Sequence, residues 1–389
     1  MTDLKVAIDG TRLGSGGGLA HLIGILDIED PAIYGIKEVH VWSYGKLLDA
    51  IPPRHWLIKH HPPQAEQSVF RQLLWQGTKL SKEIRTAGCQ ILFSVDASTF
   101  CRFEPMVTFN QNLLPFEDSI MPVYGLSKER LRLKVMAEIQ KKAFKFSESV
   151  IFLTRYAQKQ IEHHTGELAH TSVIPHGVGE AFKEPRTLSP WPNHQERAIR
   201  CLYVSPIFEY KHHVSVVKAV ALLRTQGYDI ELELVGGFGR QRAKAMLDQA
   251  LDECDPERNF VRMQEFLPYS EIVQKIAEAD IFVFASGCET FGIALLEAMS
   301  VGVPIACSKQ SSLPETLQDG GEYFDPTDEK SIAIALAILI NQPERREYLA
   351  NRAKALAAQY SWRRCAAETW SFVASSYKRY LQKQKQQQK

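Results

Sequence analysis

This chain has almost no net charge, no Cys-x-x-Cys pair and no apolar stretch that could span a bilayer. Its formal net charge is +1 over 389 residues, which argues against nucleic acid as a partner. The seven cysteines are scattered and odd in number, which argues against a disulfide framework and favours a reducing compartment. The first residues contain no apolar signal core. We therefore expect a cytoplasmic protein, or one that lies on a membrane surface.

Two nucleotide-binding motifs and all common metal motifs are also missing. The glycine-rich segment 14–18 follows a predicted strand, but the sixth position counted from Gly14 is Leu19, so the dinucleotide fingerprint fails. No Gly-x-x-x-x-Gly-Lys-Ser/Thr occurs, which excludes a P-loop. The histidine pairs at 60/61, 163/164 and 212/213 are adjacent, so their side chains point apart. We expect no metal site and disfavour a dehydrogenase.

Short apolar runs alternate with helical stretches twice along the chain. Strands are predicted first at 5–9, 39–42, 91–94, 106–109 and 149–153, and then at 200–204, 231–235, 281–284 and 304–307. This alternation predicts an α/β fold with mostly parallel sheets. The Pro-rich polar segment 184–197 predicts a linker. The predicted domains are two Rossmann-like domains, at 1–183 and 198–361, and a last helix at 362–381.

Two glutamates carry the main functional signal. Glu289 and Glu297 are separated by seven residues, between a predicted buried strand and Gly302. We predict a helix over 291–299, so that Glu289 lies in a strand-to-helix turn and Glu297 lies about two turns further on. Ionised carboxylates accept hydrogen bonds from sugar hydroxyls, and first-turn amides favour an anion. The alternative is a pair of glutamates on a solvated helix.

The Glu-x7-Glu spacing, with Phe-Gly after the first glutamate and Gly-Val-Pro-Ile after the helix, resembles the donor site of retaining glycosyltransferases of family 4. The resemblance implies the GT-B fold, in which two Rossmann-like domains face each other across a cleft. It places the donor sugar against Glu289, Thr290, Phe291 and Gly292, and the nucleotide ribose against Glu297. Because no Asp-x-Asp occurs, the metal-dependent GT-A class is disfavoured.

The resemblance extends to other turns, for which an ordinary loop or a surface cap is the alternative. After the strand at 200–204, Lys211 matches a family lysine that neutralises the donor diphosphate, whereas Pro206 occupies the position of a family arginine. One positive charge is therefore missing from the expected leaving-group site. The resemblance also assigns donor-binding roles to a further set of residues, namely Gly17, Gly18, Ser205, Gly236, Gly237 and Leu267.

The reaction centre departs from the family pattern in the first domain. Many family members carry a histidine in the region where this chain has Gln111 and Asn112. Amides bind sugar hydroxyls but cannot act as bases. In the retaining transfer that the resemblance implies, the donor phosphate takes the acceptor proton, so no protein base is required. We predict Asn112 together with Glu289 and Lys211 at the reaction centre, with a turn-forming role for Asn112 as the alternative.

A basic helical stretch over 128–145 contains apolar residues at helical spacing. One interpretation is an amphipathic surface on an anionic membrane, where a lipid-linked acceptor is presented. The other is a helix with a core-facing stripe and a solvated basic face.

The prediction is a retaining, metal-independent hexosyltransferase with a GDP- or UDP-linked sugar donor and no cofactor. Segments at 152–157, 311–315 and 323–326 resemble bacterial O-antigen and surface-polysaccharide transferases, which implies a growing, lipid-linked glycan as acceptor. Two alternatives remain open. One is a GT-B relative that rearranges or hydrolyses a nucleotide sugar; the other is a non-catalytic nucleotide-sugar-binding or assembly subunit, which the proline at position 206 favours.

Overall fold

The computed structural model describes residues 3–14, 16–184, 190–192 and 197–388. These residues form two compact units. The first unit consists of the chain up to Gly177 together with the segment that begins at Tyr360. The second unit is Val178–Gln359. Much of the linker predicted at 184–197 lies outside the described residues.

The first unit contains a seven-stranded parallel sheet covered by helices. Its strands are β1 (Leu4–Asp9), β2 (Ile36–Trp42), β3 (Leu57–His60), β4 (Ile91–Ser94), β5 (Met106–Phe109), β6 (Ser149–Phe152) and β7 (Thr171–Val173). Its helices are α1 (Gly17–Leu26), α2 (Gly45–Ala50), α3 (Val69–Trp75), α4 (Ser81–Thr86), α5 (Lys128–Phe146) and α6 (Arg155–Thr165). The shorter helical segments are Pro31–Tyr34, Pro63–Glu66, Leu114–Phe116 and Met121–Tyr124, with a π-helical segment at Gln76–Leu80.

The second unit contains a six-stranded parallel sheet. Its strands are β8 (Ile199–Val204), β9 (Ile230–Val235), β10 (Val261–Gln264), β11 (Ile281–Phe284), β12 (Ile305–Ser308) and β13 (Glu322–Phe324). Its helices are α7 (His213–Thr225), α8 (Gln241–Cys254), α9 (Tyr269–Glu278), α10 (Ile293–Val301), α11 (Leu313–Leu317), α12 (Glu329–Asn341) and α13 (Pro343–Ala357). Short helical segments lie at Glu180–Phe182 and Glu209–Lys211.

Both sheets have the doubly wound strand order of a Rossmann fold. The order is β3-β2-β1-β4-β5-β6-β7 in the first unit and β10-β9-β8-β11-β12-β13 in the second. In each sheet the first strand is central, and the chain winds outward on one side of it before it crosses to the other. Ligands of such sheets bind where the order reverses, beyond the carboxyl ends of the two central strands. In the second unit these strands are β8 and β11.

The last helix, α14 (Trp362–Gln387), packs against α1 within the first unit. The indole of Trp370 is fully buried and donates a 2.7 Å hydrogen bond to the carbonyl of Ile25. Gly24 leaves room for the ring of Trp362, because a Cβ at this glycine would come within 2.2 Å of that ring. The helix continues six residues beyond the predicted end at residue 381.

The first boundary between the units differs from the predicted one at residue 183. Residues 178–183 belong to the second unit. The reason is Phe182, which is buried and packs edge-on against Tyr269 at a ring-centroid distance of 5.1 Å. The sequence that flanks this segment is polar, so composition alone does not reveal the apolar contact. The predicted boundary at residue 183 therefore lies after the observed one.

Candidate functional site

Lys211 and Glu289 meet at the point where the strand order of the second unit reverses. Lys211 ends the short helical segment after β8, and Glu289 lies in the turn after β11. Two hydrogen bonds to backbone carbonyls hold the turn of Lys211 in place. The hydroxyl of Tyr203 on β8 donates to the carbonyl of Lys211 over 2.7 Å, and the amide of Gly287, in the turn after β11, donates to the carbonyl of Tyr210 over 2.7 Å. As a result, the ammonium of Lys211 forms an ion pair with the carboxylate of Glu289.

This ion pair is largely shielded from water. The side chains of Lys211 and Glu289 are only 10% and 16% exposed. The ammonium also lies 5.3 Å and 5.7 Å from the ring centroids of Tyr210 and Phe284, within the range of cation–π attraction. A charge pair with little water around it binds ligand charges and hydroxyls more strongly than an exposed pair does.

Two serines after β12 hold the backbone of Glu289. The hydroxyl of Ser311 accepts from the Glu289 amide over 3.0 Å, and the hydroxyl of Ser312 donates to the Glu289 carbonyl over 2.9 Å. Ser311 has a positive φ of 58°, a conformation that costs a non-glycine residue energy and persists only where its surroundings fix it. This positioning role is not evident from the sequence, although the segment 311–315 resembles surface-polysaccharide transferases.

Glu297 is a buried carboxyl on the helix that follows. Only 6% of the residue is exposed, and burial raises its pKa to about 7. The hydroxyl of Tyr269, at the start of α9, donates a 3.0 Å hydrogen bond to Glu297 Oε1, which partly offsets the cost of burial. Tyr269 is a residue of the site that sequence reasoning missed, because its contact joins positions 28 residues apart.

The helix of Glu297 begins two residues later than predicted. Helix α10 starts at Ile293, and Gly292 precedes it with a positive φ of 87° and no side-chain cap. Thr290 and Phe291 therefore lie in the turn and not in the first helical turn, and the carbonyl of Phe291 accepts from Thr316 over 2.9 Å. The first-turn amides without a side-chain cap are therefore those of Ile293 and the residues after it, and not those of the helix start predicted at residue 291.

The turns after β8, β9 and β10 meet at close range. The amide of Ser205 donates to the carbonyl of Val235, and the amide of Gly236 donates to the carbonyl of Gln264, each over 2.9 Å. Gly236 has a φ of 148°, and a Cβ there would lie 2.2 Å from the carbonyl oxygen of Ser205. Only glycine fits this crossing. Gly237 is the next residue of the same turn.

Leu267 lies between β10 and α9, where it is 6% exposed. It is thus a packed residue of the loop at the carboxyl edge of the sheet. A contact between its backbone and a nucleotide base stays a prediction.

The candidate residues of the first unit lie beyond the carboxyl ends of β1 and β5. Gly17 and Gly18 begin α1, and a Cβ at Gly18 would come within 2.4 Å of the amide oxygen of Gln111. The side-chain oxygen of Asn112 accepts from the Leu114 amide over 3.0 Å, and its nitrogen lies 3.4 Å from the sulfur of Met136. Asn112 therefore forms the turn that was the alternative interpretation, and its role in catalysis stays a prediction.

Two further features bear on ligands and membranes. In the part of the chain that the structure describes, no group of three or more His, Cys, Asp and Glu side chains is arranged to hold a metal ion. None of the described helices is both long enough and apolar enough to cross a membrane.

Comparison with known proteins places the second unit in a family. Residues 187–356, which include Lys211, Gly236, Glu289 and Glu297, match the family model "Glycosyl transferases group 1". The chain is 35% identical over 119 residues to the O-antigen chain mannosyltransferase B of Escherichia coli, a match that covers 31% of each protein. It is 29% identical over 156 residues to the amylovoran biosynthesis glycosyltransferase AmsK of Erwinia amylovora, covering 38% of this chain and 37% of that one. The matches thus span about a third of these relatives.

The fold has close structural counterparts. The structure of Anabaena HepE in complex with UDP and glucose superposes with a TM-score of 0.71 at 20% identity, and the superposition covers 96% of this chain and all of HepE. Together with the two doubly wound parallel sheets, this likeness confirms the α/β GT-B fold. The chain therefore carries a domain of the glycosyl transferases group 1 family within a GT-B fold, as the two glutamates and their flanking motifs predicted.

Proposed function

We propose that this protein is a metal-independent glycosyltransferase that takes a hexose from a nucleotide-diphosphate sugar bound in its second unit. The observation that carries the proposal is the ion pair of Lys211 and Glu289 at the reversal of strand order, followed on α10 by the buried carboxyl of Glu297. This is the position at which doubly wound sheets bind nucleotides.

Each group of the site has a chemical role in this proposal. Glu289 accepts hydrogen bonds from hydroxyls of the donor sugar, and Glu297 accepts them from the ribose. Lys211 and the uncapped amides at the start of α10 stabilise the negative charge that grows on the departing diphosphate. Because Lys211 pairs with Glu289, the diphosphate competes with that carboxylate for the ammonium.

We propose a transfer that retains the anomeric configuration. The bond between the anomeric carbon and the diphosphate oxygen breaks, and the acceptor oxygen bonds to the same face of that carbon. The acceptor proton passes to the departing phosphate oxygen, so that the reaction balances without a protein base. NMR analysis of the glycosidic product tests this step, since a product of inverted configuration would contradict it.

Two names among the similar proteins support the choice of substrates. HepE was crystallised with UDP and glucose, and the Escherichia coli relative is a mannosyltransferase of the O-antigen chain. We therefore propose a UDP- or GDP-linked hexose as donor and a growing, lipid-linked bacterial glycan as acceptor.

The first test measures the thermal stability of the protein with UDP, GDP, ADP and dTDP, in the presence of a chelator. A nucleotide at a hundred times its Kd raises the free energy of unfolding by about 2.7 kcal/mol. We expect one nucleotide to stabilise the unchanged protein and to have a much smaller effect on Glu297→Ala. A matched control is Glu347→Ala, which changes an exposed glutamate on α13 of the same unit. The absence of stabilisation by all four nucleotides would contradict the proposal.

A second candidate function, nucleotide-sugar binding without transfer, is favoured by Pro206, which leaves the diphosphate position with one fewer cation than the family pattern. The two candidates differ in turnover. A transferase consumes the nucleotide sugar only when acceptor is supplied, whereas a binding subunit holds it unchanged with or without acceptor. Release of nucleoside diphosphate in the presence of lipid-linked acceptors separates them.

The basic surface of α5 supports a peripheral contact with an anionic membrane, which would bring a lipid-linked acceptor to the enzyme. Leu131 and Val135 are 64% and 53% exposed, one turn apart on this helix. The exposed lysines of the same helix are Lys128, Lys134, Lys142 and Lys145. Apolar side chains framed by lysines suit insertion among anionic headgroups.

Co-sedimentation with vesicles tests this contact. We expect binding to vesicles that contain phosphatidylglycerol, weaker binding to purely zwitterionic vesicles, and loss of binding in the Leu131→Asp/Val135→Asp variant. Ile334→Asp is the control, since Ile334 is 62% exposed in the second unit. Equal binding by the control and the double variant would contradict a specific role of α5.

A further inference from the structure

Position 206 is where the diphosphate site is short of positive charge. Pro206 has neither a charged side chain nor a backbone N–H, and the nearby Lys211 is paired with Glu289. A diphosphate carries more negative charge than one shared ammonium neutralises. If this site binds a nucleotide diphosphate, a cation from an element that lies against the turn of Pro206 would add to the charge that Lys211 and the amides of α10 supply.

The turn after β9 is such an element. The amide of Ile207 donates to the carbonyl of Gly237 over 2.9 Å, and the amide of Gly239 donates back to the carbonyl of Ile207 over 3.0 Å. Ile207 and Phe238 form a parallel bridge beyond the strand ends. The hydrogen-bonded pairing of β8 and β9 thus continues into the turns that follow these strands. Residue 240 therefore lies next to residues 208–210.

Gly239 fixes this approach. A Cβ at Gly239 would come within 2.2 Å of the ring of Phe208, so the backbone passes directly over that ring. Phe208 in turn stacks on Tyr210 with a ring-centroid distance of 5.6 Å. Arg240, the residue after Gly239, precedes the first turn of α8 and is partly buried. Its side chain therefore starts beside the turn that carries Tyr210 and Lys211.

The charge of Arg240 acts on the same tyrosine that Lys211 contacts. Burial and the carboxylate of Glu289 raise the pKa of the Tyr210 hydroxyl, whereas the positive charge of Arg240 lowers it. The ammonium of Lys211 lies 5.3 Å from the centroid of the Tyr210 ring. The charges of two cations from two different turns thus both act on Tyr210.

We propose that Arg240 is the second cation of the diphosphate subsite and that it supplies the charge that Pro206 does not. This inference rests on the proposed function. The planar guanidinium binds phosphate oxygens through two parallel hydrogen bonds, which a lysine cannot do. Arg240 is then a donor-binding residue contributed by the turn after β9, alongside Lys211 from the turn after β8.

Isothermal titration calorimetry with the full chain tests the inference. The ligands are the nucleoside diphosphate, UDP or GDP, that stabilises the protein, and the nucleoside with the same base. We expect Arg240→Ala to weaken diphosphate binding by about tenfold, the loss of one charge-assisted hydrogen-bonding group, and to leave nucleoside binding unchanged. Arg240→Lys keeps the charge but not the two parallel hydrogen bonds. Its affinity for the diphosphate is expected to lie between that of the unchanged protein and that of Arg240→Ala.

Arg242→Ala is the matched control, since Arg242 is exposed two residues further along α8 and its removal changes the net charge equally. We expect it to change diphosphate affinity by less than about twofold. The inference is overturned if Arg240→Ala binds diphosphate as the unchanged protein does, if it loses nucleoside binding to the same extent, or if Arg242→Ala loses as much. If the unchanged protein binds no nucleotide, the proposed function fails and the inference fails with it.

Discussion

The ammonium of Lys211 and the carboxylate of Glu289, 78 residues apart in sequence, form an ion pair. Neither side chain is more than 16% exposed. A pair of charges that has lost most of its water is a site in which each member depends on the other. It follows that the groups proposed to hold the donor sugar and its diphosphate are coupled to each other.

Removal of one member of this pair is expected to cost more stability than removal of both. Lys211→Met leaves the Glu289 carboxylate unpaired, and we expect a loss of about 3 kcal/mol in the free energy of unfolding of the second unit. Lys211→Met/Glu289→Leu leaves no unpaired charge and should recover most of that loss. Urea denaturation followed by far-UV circular dichroism measures both.

The exposed ion pair of Lys309 and Asp325 provides the control for this comparison of single and double variants. Their side chains are 59% and 34% exposed, with a separation of 3.6 Å. Lys309→Met should change the free energy of unfolding by less than about 1 kcal/mol. If Lys211→Met is no more costly than Lys309→Met, the Lys211–Glu289 pair is not a coupled, desolvated site.

Glu297 should make the second unit less stable as the pH rises. Its folded pKa is about 7 against an ordinary value of 4.5, because burial disfavours the charged form. Between these values the folded state keeps a proton that the unfolded state has lost, so the free energy of unfolding falls with rising pH and levels off above pH 7. Glu297→Gln removes this titration and should be more stable than the unchanged protein by about 3 kcal/mol at pH 8.

Urea denaturation at intervals between pH 4 and pH 8 checks this expectation. The two proteins should converge near pH 4.5 and diverge above it, and the glutamine variant should bind nucleotide more weakly, since it offers the ribose no carboxylate. Parallel pH profiles would show that the Glu297 carboxyl does not titrate in this window. A buried carboxyl retained at the expense of stability is what a binding site requires.

The sequence sufficed for the fold class because the inner strands of both sheets are short apolar runs. The four edge strands, β3, β7, β10 and β13, were not predicted, since they carry polar residues and are only partly buried. The prediction of a strand at 281–284 matches β11 at Ile281–Phe284, where four consecutive buried residues leave no other interpretation. Likewise the positions of Glu289 and Glu297 could be predicted, because both residues lie in one continuous segment of strand, turn and helix. Local patterns of this kind are visible in one segment of sequence.

The residues that the sequence did not disclose act across long separations. Tyr269 forms a hydrogen bond with Glu297, and Ser311 and Ser312 form hydrogen bonds with Glu289. These bonds exist only once α9 has packed and β12 has joined the sheet. The start of α10 at Ile293 was missed for a local reason, since Gly292 adopts a left-handed conformation that ends the preceding turn later than helix propensity suggests.

Gly236 should tolerate no side chain. Its φ of 148° is strained for any other residue, and a Cβ would lie 2.2 Å from the carbonyl oxygen of Ser205, a backbone atom that cannot move aside. We expect Gly236→Ala to destabilise the second unit by more than about 2 kcal/mol and to abolish nucleotide binding. Gly227→Ala is the control, because Gly227 also has a positive φ, of 91°, but open space around it.

Thermal unfolding and nucleotide titration of the two variants measure this difference. Gly227→Ala should lose about 1 kcal/mol from backbone strain alone and should keep its nucleotide affinity. If both variants lose stability equally, the close approach of Gly236 to Ser205 contributes nothing beyond the strained φ.

The first unit should be destabilised by acid through a pair of buried histidines. The Nδ1 atoms of His21 and His176 lie 3.2 Å apart, and His21 stacks on Phe109 with a ring-centroid distance of 4.1 Å. Because only one Nδ1 can donate, the pair is stable when both rings are neutral. Burial lowers the pKa of His176 to about 3 and lowers that of His21 well below 6.5.

A basic group with a lowered folded pKa binds its proton more readily in the unfolded state. Below pH 6.5 the free energy of unfolding therefore falls as the pH falls, by up to about 1.4 kcal/mol per pH unit for each histidine. His21→Phe keeps an aromatic ring against Phe109 and removes one titrating imidazole, so it should reduce the slope by up to about 1.4 kcal/mol per pH unit. Tryptophan fluorescence reports on this unit, since five of the six tryptophans lie in it.

His55→Gln serves as the reference variant, since His55 is exposed in the same unit. It should unfold with the acid dependence of the unchanged protein between pH 6.5 and pH 4. If His21→Phe shows that same dependence, the buried pair does not titrate on unfolding. A smaller slope would mean that protonation of the His21 imidazole opposes the packing of α1 against the segment of His176.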